Sequence, residues 1–199
     1  KHAALCLAGV SSPAARAAAD ADVLVSDADA ARLTTALAGV GFVVSGAPGY
    51  DHQDPPLIHP RGGVLELHRT VPGVRLSPRE REASLETFVE HGLATPLSAD
   101  APDLLVPRPH VLLAHALAHG LFQHGLEPAA YPGFKMLTDL ADLKRHAGAG
   151  LIEEALPLVA AEVNEDDARA AWALPSLLAE RGATGVLGRA ASAEARLLA

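Results

Sequence analysis

A chain of 199 residues is long enough for one well-filled core, or for two small subdomains that share an interface. Hydrophobic residues make up 49% and charged residues 20%, a balance that excludes an intrinsically disordered chain. The net charge of −8 comes with no basic tract, which argues against long nucleic acid as a partner but leaves room for a basic pocket around one nucleotide.

The chain opens Lys1-His2-Ala3 with neither Met nor a signal-peptide pattern, and these residues already read as part of an ordered element. The true N-terminus is therefore expected upstream. Val23-Leu24-Val25 is a compact apolar run flanked by acids and reads as a strand. Asp27 or Asp29 can cap the helix that follows, whose Leu33, Leu37 and Val40 share one face. Gly39 and Gly41 end it, and Phe42-Val43-Val44 is the next expected strand. Residues 45–60, rich in Gly, Pro and Asp, read as a loop. Gly62-Gly63 then turns into Val64-Leu65-Glu66-Leu67-His68, where apolar residues alternate with Glu66 and His68. This is a strand with one polar face.

Beyond about residue 76 the pattern becomes helical. Ser77-Pro78-Arg79-Glu80 has the form of an N-cap with Pro at the first helical position, and the charges at 79–82 form a solvated face. Pro107 and Pro109 precede a helical run from His110 to about His124. Further helices are expected near 134–147, 150–163 and 165–181, with Trp172 in the core, and a short one over 190–199. Only 4% of residues are aromatic, so Ala, Leu and Val must build closely packed helices. The predicted fold class is α+β: a small mixed sheet with a helix over residues 1–76, then a helical bundle over 77–199.

A single cysteine, Cys6, forms no internal disulfide and fits a reducing, cytoplasmic setting. No apolar run reaches the roughly 20 residues that span a bilayer.

The chemistry-bearing pattern is acidic. Asp20-Ala21-Asp22 leads straight into a strand, where residues two apart point to the same face at roughly 7 Å. Glu66 is the one acid inside an otherwise apolar strand. If strand 64–68 lies beside strand 22–25, three carboxylates gather at one sheet surface. Anions so placed repel one another unless a cation neutralises them, and oxygen ligands favour Mg²⁺. On spacing alone the simpler reading is a pair of solvated turn acids, since D-x-D is a common tripeptide. The second such pair, Asp27-Ala28-Asp29, merely starts a helix.

The order of motifs adds to this. Lys1-His2-Ala3-Ala4-Leu5, then Arg16, then Asp20-Ala21-Asp22-Val23-Leu24-Val25 resembles the opening of the uncharacterised nucleotidyltransferase family in the polymerase-β superfamily. Gly41-Phe42 at a helix end, the Glu66-Leu67-His68 strand end, His115-Ala116-Leu117-Ala118-His119 and Leu137-Thr138-Asp139-Leu140 follow in the family's order. The resemblance implies that Asp20 and Asp22 bind metal ions and a triphosphate, with Glu66 as the third carboxylate toward an acceptor hydroxyl. It implies that Lys1 and Arg16 face the phosphates, with His2 in the same loop. Two residues depart from the family pattern: His2 stands where Gly is usual, and Val10 where an aromatic is usual. The reaction so implied is transfer of a nucleotidyl group from an NTP to a hydroxyl on a small molecule or protein.

Among the histidines, His68 shares the face of Glu66 and is the one expected to touch substrate. His115 and His119, four apart, with Asp139 on the next helix, read first as a polar clasp between helices and second as acceptor-binding residues. Two rival functions follow. One is a non-catalytic relative acting as a binding or regulatory partner, in the manner of a toxin–antitoxin pair. The other is a helical metal-dependent hydrolase centred on His115 and His119, although H-E-x-x-H is absent.

Overall fold

The computed structural model describes residues 2–12, 20–47, 49–76, 82–123, 133–159 and 162–180. Lys1, Arg16, His124, the cap at Ser77–Glu80 and the helix expected over 190–199 lie outside them.

A short helix α1 (His2–Leu7) precedes strand β1 (Asp20–Leu24). The strand starts three residues earlier than its apolar run, so Asp20 and Asp22 are part of it rather than of a turn. Helix α2 (Asp27–Gly39) is capped by Ser26, not by Asp27 or Asp29. The Ser26 hydroxyl accepts the Asp29 amide proton at 3.1 Å and donates to the Asp29 carboxylate at 2.8 Å. The two acids occupy the first turn, where negative charge suits the helix dipole. Val40 lies past the last turn at 66% exposure and leaves the apolar face to Leu33 and Leu37.

Strand β2 (Val43–Val44) follows, and residues 45–60 contain a strand of their own, β3 (Leu57–Ile58). The Gly and Pro density there hid it, since two residues carry no readable alternation. A turn at Gly62 and Gly63, with φ of 95° and 101°, leads into β4 (Val64–His68). The sheet order is β1-β4-β3-β2, with β1 and β4 parallel and the remaining pairs antiparallel. Alternation sends Val23, Leu65 and Leu67 to one face, where they meet Val25, Leu57 and the Ala30, Leu33 and Leu37 face of α2. The opposite face carries Asp20, Asp22, Glu66 and His68.

The second half is not purely helical. After β5 (Thr70–Val71) and its partner β6 (Ala83–Ser84) come helix α3 (Leu85–Glu90) and a hairpin of β7 (Ala94–Ser98) and β8 (Ala101–Pro107). Helix α4 (Pro109–Ala118) continues as a π-helical turn over His119–Gln123. Helix α5 (Gly133–Ala147) packs against it. The expected helix 150–163 is shorter: α6 (Leu151–Ala155) gives way to a 3₁₀ turn over Leu156–Leu158, where Pro157 supplies no amide proton. Helix α7 (Glu165–Glu180) closes the described chain.

Val111, Leu113, Leu117, Leu140 and Leu143 are fully buried in this helical body, with Trp172 beside them. The Trp172 indole donates to the Ala149 carbonyl at 3.0 Å. Leu5 and Val10 belong to the same cluster, and Leu24 packs on it, so the body lies against the polar side of the sheet. Close approach is secured at Gly73, whose φ is 76° and where a Cβ would stand 2.3 Å from that of Ala118. The fold class is α+β, as the patterns predict. No helix among the described residues is long and apolar enough to cross a membrane.

Candidate metal centre

Strands β1 and β4 run side by side with Asp22 opposite Glu66, so the pairing needed to gather the acids is present. In a parallel pair, residues in register share a face; their side chains rise together from the sheet. His68, two residues beyond Glu66, joins them. One ligand atom each from Asp22, Glu66 and His68 lies within 4.8 Å of the others. This is the one such group among the described residues.

His68 Nε2 stands 3.4 Å from Asp22 Oδ1 and 3.6 Å from Glu66 Oε2, and it is buried without a hydrogen bond. Burial works to raise the Asp22 pKa, but the polar groups beside it, His68 Nε2 foremost, outweigh it and hold the carboxyl well below its usual range. Asp22 is thus an anion at neutral pH, ready to ligate a cation. Asp20, opposite Val64 and two residues before Asp22, is exposed on the same face but outside the three-residue group.

The His68 ring is braced from the loop before β3. It stacks on His52 with centroids 5.5 Å apart, and His52 stacks on exposed Tyr50 at 5.4 Å. Main-chain bonds stitch that loop to β4: the Asp54 amide donates to the Leu67 carbonyl at 2.8 Å, and the Arg69 amide to the His52 carbonyl at 2.8 Å. The Arg69 guanidinium then grips both Asp54 oxygens, at 2.8 and 2.9 Å, and reaches Asp27 on α2 at 2.6 Å. These carboxylates, Asp54 first, raise the Arg69 pKa.

The other sequence candidates lie elsewhere. His2 is buried in α1, 3.5 Å from Cys6 Sγ. His115 Nδ1 lies 3.3 Å from the Pro72 carbonyl oxygen, tying α4 to the segment after β5, and its ring is 6.1 Å from that of His119. Asp139 is buried on α5. Neither His115 nor His119 belongs to a group of three metal-holding side chains among the described residues.

The sequence profile described as uncharacterised nucleotidyltransferase matches residues 1–179. The chain belongs to that nucleotidyltransferase family. No curated protein and no solved structure matches it. Within this nucleotidyltransferase-family chain, Asp22 and Glu66 stand together as the motif order implies, and a nucleotidyltransferase-like function is supported.

Sequence reasoning missed two residues that shape this candidate metal site. His52 sits in a segment with no periodicity, and nothing local pairs it with His68. Arg69 carried a weak signal, as a lone cation just past the acidic strand. Asp142, in the same helical motif as Asp139, is buried on α5 and accepts from Ser11 Oγ at 2.6 Å and Arg145 Nη1 at 2.9 Å, a tie between the segment after α1 and the body.

Proposed function

We propose that the protein transfers a nucleotidyl group from an NTP to a hydroxyl of a small molecule or protein, in a reaction dependent on a divalent cation such as Mg²⁺. The carrying observation is Asp22 opposite Glu66 on the polar face of a parallel strand pair, in a chain matched along 179 residues by a nucleotidyltransferase profile. The donor set fits a hard or borderline cation: two carboxylates, with a third at Asp20 beside them.

A cation held by Asp22 and Glu66 would supply positive charge against the negative charge that grows on the phosphate oxygens. By family likeness Asp20 and Asp22 would hold that cation at the triphosphate end of the substrate. Glu66 orients the acceptor hydroxyl and takes its proton. The hydroxyl oxygen bonds to the α-phosphorus as the bond to the leaving pyrophosphate breaks. By family likeness Lys1 and Arg16 face the phosphates, and His119 and Asp139 border the acceptor. Residues 1–76 then carry the chemistry and 77–199 the wall behind it.

The test is a thermal-shift panel of four NTPs with and without Mg²⁺, since a ligand that binds the native state raises its apparent stability. Wild type gains stability with at least one NTP only when Mg²⁺ is present. Asp20→Ala and Asp22→Ala lose that gain. Variants that bind NTP as wild type does would sink the proposal.

One observation favours a second reading, a non-catalytic binding member of the family. His2, where the family has Gly, is a buried side chain rather than an open backbone for phosphate. Under that reading neither wild type nor His2→Gly turns over any NTP.

A further inference from the structure

Resting on the metal centre just proposed, we propose that His68 is a direct nitrogen ligand of its cation, so that the centre takes Mn²⁺ in preference to Mg²⁺. The separations carry the argument. Two atoms about 2.1 Å from a common ion stand about 3.0 Å apart at an octahedral angle and about 3.4 Å apart at a tetrahedral one. His68 Nε2 is 3.4 Å from Asp22 Oδ1 and 3.6 Å from Glu66 Oε2, near the edge lengths of a coordination polyhedron. A hydrogen-bonded imidazole would settle about 2.9 Å from one carboxylate and abandon the other. Here Nε2 stands almost midway between the two, buried and with no hydrogen bond of its own.

The ring is also held in place. His52 stacks on it at 5.5 Å, inclined by 24°. The loop carrying His52 is fixed by the Arg69 grip on Asp54 and by main-chain bonds to β4. A ligand whose rotamer is set in advance loses little entropy on binding.

The donor set then decides the ion. Mg²⁺ keeps water and takes oxygen, and an imidazole does little for it. Mn²⁺ accepts nitrogen and lies on the ascending series of transition-ion affinities. Glu66 and Asp22 alone do not discriminate strongly between the two; His68 does.

The experiment uses the full chain and the metal alone. Manganese chloride is titrated in while the free-ion EPR signal is followed, with magnesium chloride as competitor. Pulsed EPR of the bound ion reads coupling to ¹⁴N. We expect wild type to bind Mn²⁺ at least about tenfold more tightly than Mg²⁺, with a ¹⁴N coupling. His68→Gln loses the coupling and most of the preference while still binding Mg²⁺; His52→Gln keeps the coupling. Bound Mn²⁺ with no nitrogen coupling in wild type overturns the assignment of His68 and leaves the carboxylate centre standing, whether or not the variant folds. Coupling that survives His68→Gln but not His52→Gln overturns it in favour of the neighbour. Wild type that binds neither ion, with or without NTP, removes the proposed centre itself.

Discussion

The sheet and the helical body are packed on different principles. Among the described residues, the body buries two dozen hydrophobic residues in one cluster drawn from the start of the chain, from the segment between Val74 and Leu93, and from α4 to α7. The sheet's own core is Val25, Ala30, Leu57 and Leu67, with a ring of half-buried neighbours. Its outer strand exposes Val43 and Val44, and its inner face is given over to acids and a histidine. Stability therefore resides in the body, whereas the candidate chemistry sits on the thinner layer. Such a division lets the polar face carry charge, because the fold does not depend on burying it.

The sharpest way to break this comparison is Asp22→Asn. It should lower cation-dependent turnover by on the order of 10²–10³-fold while the melting temperature stays close to wild type. Steady-state rates beside thermal denaturation measure both. A large loss of stability would mean that the acid supports the fold.

Next in size is Leu113→Ala in the body, expected to cost about 3–5 kcal/mol in urea unfolding. Leu57→Ala in the sheet should cost about 2–3 kcal/mol, because a thin layer open to solvent collapses more readily around the lost side chain. Equal costs would remove the asymmetry. Gly73→Ala strikes the seam at Ala118 through both its positive φ and the Cβ contact, and should cost about 1–3 kcal/mol by the same measurement.

Arg69→Ala tests the brace rather than the core. Hydrogen exchange at the Asp54 and Arg69 amides should rise several-fold, with the amides of α4 unchanged. If exchange rises everywhere, the brace is part of the global fold.

The smallest effect concerns His110 at the start of α4. Burial, ahead of its charged neighbours, lowers its pKa from 6.5, since the charged form is poorly solvated there. Its contribution to stability is complete above pH 6.5 and is lost as pH falls through the lowered folded value. His110→Gln should flatten the stability profile across that acid window, measured by urea midpoints at stepped pH.

The two regions also differed in how readable they were. Val64 to His68 declared itself through strict alternation, α2 through its apolar face and end signals, and α5 and α7 through their Ala-rich helical runs. The β3 strand and the β7–β8 hairpin did not. The first is too short to show a period, and the second carries Pro96, Pro102 and Pro107 inside strands, where the sequence alone reads breaks. The cap of α2, expected at Asp27 or Asp29, falls on Ser26 because all three residue types qualify and the backbone decides among them.

The sequence by itself determined the fold class, the α2 and β4 elements, and the fact that Glu66 lies on the polar face of its strand. These follow from local periodicity and propensity, which need no distant partner, whereas the place of Asp20 and Asp22 inside a strand came from the structure. Only the tertiary structure decided that Asp22 meets Glu66 in register, that Asp20 stands outside the group, and that His68 joins it braced by His52 and Arg69. Register between strands forty residues apart is set by the whole sheet and the helix beneath it. A side chain's neighbours across such a gap leave no trace in spacing.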